Sequence, residues 1–414
     1  MDLVAYDLYV RASSLIDRAS SQDRPDQGAS YLKAIDLLNQ AITRDSAFLL
    51  AYCRLAEAND EHYYMGFDRT PARLELAKAA IDSALRLKPD SGDAHLALGL
   101  HFYHGYFDYD RARDELALAA RSLPNDPRIF VWLGYIDRRQ GRWNDALRDF
   151  ERAAELDPRD ARILAPAAIT YHLVRDYNRE RQIVDRLVAL DPNNLDYRFG
   201  RPHLDINERA DTRTTHAALE TVPADSAGSA AMRLELALYD RDPAAADRAM
   251  ADLRVHGPDA FESGRGGMQF TMALLEALVA RMKGDTAGAR AAFTAARVKQ
   301  EEILRTRPDY GPFLAVLGLV DAGLGRKDEA MREGRKALEL TLSTHDSFDE
   351  VDVRNVFAQI CAWTGEPGSA LEQLEMLAKM PAGPSYGELR LNPIWDPLRG
   401  DPRFEKILQS LGPK

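Results

Sequence analysis

The sequence predicts an all-α fold, a solenoid of about ten antiparallel helix pairs with a C-terminal cap, and three observations carry that prediction. Residues 126–160, DPRIFVWLGYIDRRQGRWNDALRDFERAAELDPRD, place Phe130, Leu133, Gly134 and Asp137, then Ala146, Phe150 and Ala153, at three-to-four-residue steps on either side of Gly141. That is the pattern of two amphipathic helices joined at a turn. Pro124, Pro158 and Pro192 recur at intervals of 34 residues, with Pro89 one residue out of step, and almost nothing in the chain has the alternation of a strand. Gly134 and Ala146 let two helix backbones approach while Phe130, Leu133 and Phe150 fill the space beside them. Pro158 stops the second helix, because its ring lacks a donor and disfavours helical geometry at Asp157. One such pair cannot bury its own apolar face, so it must stack on others.

In chain order, the first pair spans about Val4–Arg18 and Gln27–Arg44, with Ala34, Leu38 and Ala41 at the repeat spacing and Ser46 where a closing proline is expected. The second begins at Ala51, Tyr52, Leu55 and Ala56, carries the aromatic insertion HYYMGFDRTP, which should emerge from the edge of the stack, and resumes with Ala77, Ile81 and Ala84. The third has His95, Leu98, Gly99 and Phe102, then Ala112, Leu116 and Ala119; the fifth has Leu164, Ala167, Ala168 and Tyr171, then Val184 and Leu187. After Pro192 the pattern weakens into a degenerate pair interrupted by Pro202. A short pair follows at about Ala227–Tyr239 and Pro243–Val255, then HGPDAFESGRGG, the best candidate for a linker or loop. Repeat character returns with Ala289, Phe293 and Ala296 after Gly284, with Leu314, Leu317, Gly318, Gly325, Ala330 and Ala337, and with Phe357, Ala358, Gly365, Ala370 and Leu374. The tail offers Leu408 and Leu411 to cover the exposed end. The expected divisions are residues 1–194, 195–263, 264–380 and the cap 381–414.

A helix pair with an aromatic, Leu-Gly, Ala-x3-Phe and a closing proline resembles the tetratricopeptide repeat, and the resemblance extends over most of the chain. It implies a right-handed superhelical stack whose first helices line a concave, partner-binding surface. The two ends, AYDLYVRA with KAIDLLNQAITRDSAFLLAYCRLAEA and LRLNPIWDPLRGDPRFEKIL, are similar to repeat regions that bacterial signalling proteins carry behind a kinase, a cyclase or a DNA-binding domain. That likeness implies a regulatory module.

Composition narrows the partners. The 54 basic against 65 acidic residues give a net charge of −11, which argues against a nucleic acid or an anionic membrane. Cys53 and Cys361 lie in distant repeats and suggest a reduced, cytoplasmic setting without a disulfide. The start MDLVAYDLYV lacks the basic residues and apolar core of a signal peptide, and no run reaches the roughly 20 apolar residues of a membrane span.

On the first helices, the positions not used for internal packing are Tyr103 and His104, then Arg128, Val131, Tyr135, Arg138 and Arg139, then Arg162, Ile169 and His172. Tyr103, His104, Arg128, Tyr135, Arg138, Arg139, Arg162 and His172 are the candidate partner-binding set: arginine offers a forked donor to a carboxylate and tyrosine a rigid apolar face, which suits an acidic peptide segment. A solvated face is the plainer account of any one arginine. Repeat two offers Glu57, Asp60 and Glu61 in the same place, so the groove is expected to change sign. Proteins that grip a terminal carboxylate use a Lys, Asn and Arg set, but Val131, Tyr135 and Ala165 stand here, so that ligand class is not expected.

Chemistry finds little support. GPSYG, Gly383–Gly387, has the G-x-S-x-G form but not the strand–turn–helix setting a nucleophile needs, and reads as a turn. His101 and His104, with His95 and His62 nearby, lack cysteine or carboxylate partners at ligand spacing, and GLGRKDEA is no phosphate loop. No catalytic residue, metal or cofactor is assigned. The expected function is a non-enzymatic scaffold for a protein or peptide in bacterial signalling. The alternative is a small-molecule sensor whose ligand settles at the degenerate middle, with an unrecognised hydrolase a distant third.

Overall fold

A computed structural model of the chain describes residues 2–21, 27–222, 227–257, 260–262 and 267–413. They fall into two compact units, Met1–Arg138 with Asn144–Pro166, and Arg139–Trp143 with Ala167–Lys414. Both are built mainly of α-helix pairs, and the described residues also include a π-helical turn, a 3-10 turn and two three-residue strands.

The first unit contains α1 (Leu3–Ser21), α2 (Gln27–Arg44), α3 (Leu49–Tyr64), α4 (Pro71–Leu87), α5 (Gly92–His101), α6 (Tyr109–Ser122), most of α7 (Pro127–Arg139) and α8 (Trp143–Leu156), and the start of α9 (Ala161–Leu173). One motif secures every second helix. Ala34, Leu38 and Ala41, then Ala77, Ile81 and Ala84, then Ala112, Leu116 and Ala119, then Ala146, Phe150 and Ala153 are all buried. The alanines admit the neighbouring helix and the larger central residue fills the gap. Gly134 completes this in the fourth pair, where an added Cβ would meet the Phe150 ring at 2.8 Å. The insertion does not simply leave the stack: its first three residues extend α3 to Tyr64, and Phe67 then folds back with its ring 5.4 Å from that of His62.

The second unit continues with α10 (Tyr177–Leu190), α11 (Leu195–Arg209), α12 (Arg213–Leu219), α13 (Ala227–Tyr239), α14 (Pro243–His256), α15 (Met272–Met282), α16 (Thr286–Thr306), α17 (Gly311–Gly323), α18 (Lys327–Thr344), α19 (Ser347–Trp363), α20 (Pro367–Leu377), α21 (Tyr386–Leu391) and α22 (Pro402–Leu411). Ala289, Phe293 and Ala296 on α16 repeat the buried motif of the first unit. Turns within pairs need a left-handed residue, and Gly284, Gly325 and Gly365 supply it at φ +73 to +76°.

Three expectations are corrected. Pro202 does not interrupt the degenerate pair: α11 runs through it. An interior proline costs about 3 kcal/mol, which the cap at Asn194 and the burial of Phe199, Leu204 and Ile206 offset. Within HGPDAFESGRGG, residues 258–259 and 263–266 lie outside the described residues, but β1 (Ala260–Glu262) pairs antiparallel with β2 (Gln269–Thr271). The tail also does more than cap. Phe404, Ile407 and Leu408 bury against the unit's core, while the segment before them returns to the unit's beginning, where the Ala382 amide donates to Leu173 at 2.7 Å and α21 packs on α11.

Candidate functional site

The predicted partner-binding residues do not form one outward patch. Tyr103 and His104 are buried, because α5 continues into a single π-helical turn, Phe102–Tyr106, which rotates both side chains inward. The His104 ring lies 4.9 Å from Trp132 and 4.8 Å from Tyr64, and that of Tyr103 lies 5.2 Å from Trp132. Asp60 and Glu61, expected to make the groove acidic, are buried on the facing side of α3, and Val131 is buried too.

These residues form a polar layer inside the first unit. His101 Nδ1 lies 2.8 Å from Asp60 Oδ1, and His104 Nε2 lies 3.8 Å from Glu61 Oε1. Burial pushes Asp60 up to about 6 against the favourable His101 contact. Burial, with Glu57 and Asp60 adding to it, pushes Glu61 up to about 8, while burial drives His104 down to about 3. Asp60 Oδ2 and His104 Nδ1 have no hydrogen-bond partner among the described residues. Such groups are held neutral more cheaply than charged.

Of the predicted arginines, Arg128 and Arg162 lie at the surface of the first unit and are already paired. Arg128 folds back on Asp126, with Nη2 to Oδ2 at 2.6 Å and Nε to Oδ1 at 3.0 Å, and reaches Asp93 at 3.4 Å. Arg162 makes the same fork with Asp160, and its Nη1 lies 3.3 Å from Asp17. In both cases an aspartate at a helix start is gripped by the arginine two residues on, so these forks close helix N-termini. Arg54, which the sequence did not single out, donates to Asp17 at 2.7 Å and to Glu57 at 2.6 Å. With Tyr9, Leu50, Glu57, Arg128 and Trp132 it lines a notch of about 40 Å³. Arg54 shares a first-helix position with the acids of the second repeat. Only its contacts across α1 reveal its role.

Tyr135 and Arg138 belong to the same unit: the Arg138 guanidinium stacks 5.1 Å over the Tyr135 ring, and burial pushes the Tyr135 hydroxyl up to about 12. Arg139 and His172 fall in the second unit. Arg139 lies 3.3 Å from Asp346 and 3.2 Å from Asp349, over the Phe348 ring, and His172 Nδ1 is 3.2 Å from Glu180. Of the predicted set, Arg128, Tyr135, Arg138 and Arg162 therefore share the first unit with accessible side-chain surface, whereas Tyr103 and His104 do not offer it.

GPSYG does precede a helix, contrary to expectation. Ser385 Oγ accepts the Glu388 amide at 3.0 Å as the N-cap of α21, and Ser385 is buried. A cap is its evident work. No described helix is long and apolar enough to cross a membrane, and the described residues contain no cluster of three or more His, Cys, Asp or Glu able to hold a metal ion.

The family model described as the tetratricopeptide repeat matches residues 127–160. No curated protein matches the chain. Among solved structures, PilF of Pseudomonas aeruginosa is 20% identical, covering 51% of this chain and 93% of its own, with a TM-score of 0.40. A thermophilic TPR protein of Thermus thermophilus is 14% identical, covering 48% and 98%, also at 0.40, and a tetratricopeptide repeat protein of Parabacteroides merdae is 17% identical, covering 61% and 92%, at 0.38. Residues 127–160 are thus matched as a tetratricopeptide repeat, and further helix pairs flank them on both sides of the sequence.

Proposed function

We propose that the chain is a non-catalytic scaffold that holds a protein or peptide partner on the first-helix face of its N-terminal unit. The observation that carries this reading is the surface around the notch, where the aromatic and aliphatic groups of Tyr9, Leu50 and Trp132 lie among guanidinium and carboxylate groups fixed by mutual ion pairs. Surface already ordered before binding loses little side-chain entropy when a partner docks. Arg54, Arg128 and Arg162 each hold carboxylates of the chain itself, so the face suits a segment with an apolar anchor and mixed charge better than a purely acidic one. The likeness of the chain's two ends to the repeat regions of bacterial signalling proteins supports a regulatory setting.

The test is capture from the source lysate followed by reconstitution with the purified partner. Leu50 is 37% exposed at the notch, and Leu76, on α4, is 56% exposed and does not line it. Leu50→Glu is expected to weaken the purified pair about tenfold or more, and Leu76→Glu to leave it unchanged. Equal effects from the two substitutions, or none from Leu50→Glu, would remove the first-helix face from consideration.

A further inference from the structure

A cleft of about 700 Å³ opens in the second unit at the turn ends of α15, α16, α17 and α19, and the 3-10 turn Pro393–Leu398 forms one wall. Its size falls within the roughly 300–1,000 Å³ of small-molecule sites. Leu278, Phe293, Trp363 and Ile394 make much of it apolar. The indole is fixed, because Trp363 Nε1 donates to the Ile394 carbonyl at 2.9 Å.

Its charged groups are unevenly used. Asp396 already holds Arg241 at 2.7 Å and Arg399 at 2.6 Å, and Asp285 accepts the Gly288 amide at 2.9 Å. Arg281 and Arg290 line the same cleft, yet among the described residues neither side chain has an ion pair or a hydrogen bond. The Arg281 guanidinium instead lies 4.1 Å from the Trp363 ring centroid. The acids are held in ion pairs or hydrogen bonds and, among the described residues, the two arginines are not, beside an apolar surface of ligand size. That imbalance selects an anion with an apolar body.

We propose that this cleft binds a small organic carboxylate, the carboxylate taken by Arg281 and Arg290 and the apolar body laid against Trp363, Phe293 and Ile394. The site is separate from the first-helix face of the N-terminal unit, so its failure and the failure of the partner-docking reading are read from different variants. It also lies outside the degenerate pair of α11 and α12.

The experiment titrates the full chain with 2-naphthoate, and with the neutral 2-naphthamide as its matched control, by calorimetry and by quenching of tryptophan emission. The naphthoate is expected to bind with a sub-millimolar Kd and the amide about tenfold more weakly. Arg281→Gln and Arg290→Gln, each checked for an unchanged melting temperature, are expected to weaken naphthoate about tenfold while leaving the amide within about twofold. Equal affinity for acid and amide, indifference to both substitutions, or no heat and no quenching up to about 5 mM probe overturns the assignment. So does a short peptide with a C-terminal leucine carboxylate that binds more than about tenfold tighter than 2-naphthoate, which would make the occupant a chain terminus.

Discussion

Glu61→Gln removes one titrating group from the buried layer of the first unit while keeping its size. The Glu61 carboxyl has an ordinary value of 4.5 and stands at about 8 in the folded chain, chiefly through burial, with Glu57 and Asp60 adding to the effect and Arg54 opposing it. A raised acid holds its proton in the folded state where the unfolded state has released it. Its contribution to stability is therefore greatest below pH 4.5 and is lost as pH rises toward 8. Asp60 acts in the same direction, but its change is half complete near pH 6 and nearly over by about pH 7. His104, lowered to about 3, acts oppositely and costs stability only as pH falls below about 6.5. Between pH 6.5 and 8 Glu61 is therefore the member of this trio that responds most. One proton of difference is worth about 1.4 kcal/mol per pH unit, so the unsubstituted chain should lose about 1.5 kcal/mol more than Glu61→Gln across that interval. Amide hydrogen exchange in α3 and α5, measured at both pH values, reads this locally without requiring the whole chain to unfold in one step. Parallel pH dependence in the two proteins would refute the argument, since it would mean that Glu61 is ionised in the folded state.

Other predictions concern close packing and the two sites. In Gly387→Ala the new Cβ would overlap the Ile206 carbonyl, so α21 must move off α11; we expect a loss on the order of 3 kcal/mol and faster exchange in those two helices, and unchanged exchange would contradict their contact. Gly134→Ala presses on the Phe150 ring, with an expected loss of about 1–2 kcal/mol, and the Gly134→Ala/Phe150→Leu pair should be less destabilised than the sum of its parts in urea unfolding. Leu50→Glu should weaken partner binding where Leu76→Glu does not, by titration of the purified pair. Arg281→Gln should weaken 2-naphthoate but not 2-naphthamide, by calorimetry.

The repeat was legible because its causes are local. Ala146, Phe150 and Ala153 lie on one helical face whatever surrounds them, and the same spacing located the buried face of α2, α4, α6 and α16. The candidate site was less legible because its causes are not local. Tyr103 and His104 occupy outward positions in an ideal α-helix, and only the π-helical turn, set by packing against Tyr64 and Trp132, sends them inward. Spacing likewise cannot tell whether Arg128 or Arg162 is spare: each looked available until its fork to the aspartate two residues earlier was seen. Arg281 and Arg290 gave no signal, since what distinguishes them is that, among the described residues, neither side chain has an ion pair or a hydrogen bond.

The closure of the second unit follows the same logic over a longer range. Its turns within pairs use glycine at Gly284, Gly325 and Gly365, but Arg175 and Arg241 stand at the equivalent left-handed positions, at φ 60° and 53°. A non-glycine residue there costs about 1 kcal/mol, so something must compensate. Both arginines grip the returning tail. Arg175 donates to the carbonyls of Leu377, Met380 and Pro384, at the end of α20 and in the segment that follows it. Arg241 donates to the Leu391 carbonyl and pairs with Asp396, on the wall of the cleft. These two departures from glycine sit where the tail needs a long side chain with several donors, whereas Ala210, left-handed at φ 56° between α11 and α12, is a third with a short side chain. Glycine would relieve the backbone at either turn and lose the hold on a segment at least 150 residues away in sequence. The unit's closure and the shape of its cleft therefore rest on residues that look, within their own repeats, like errors in the pattern.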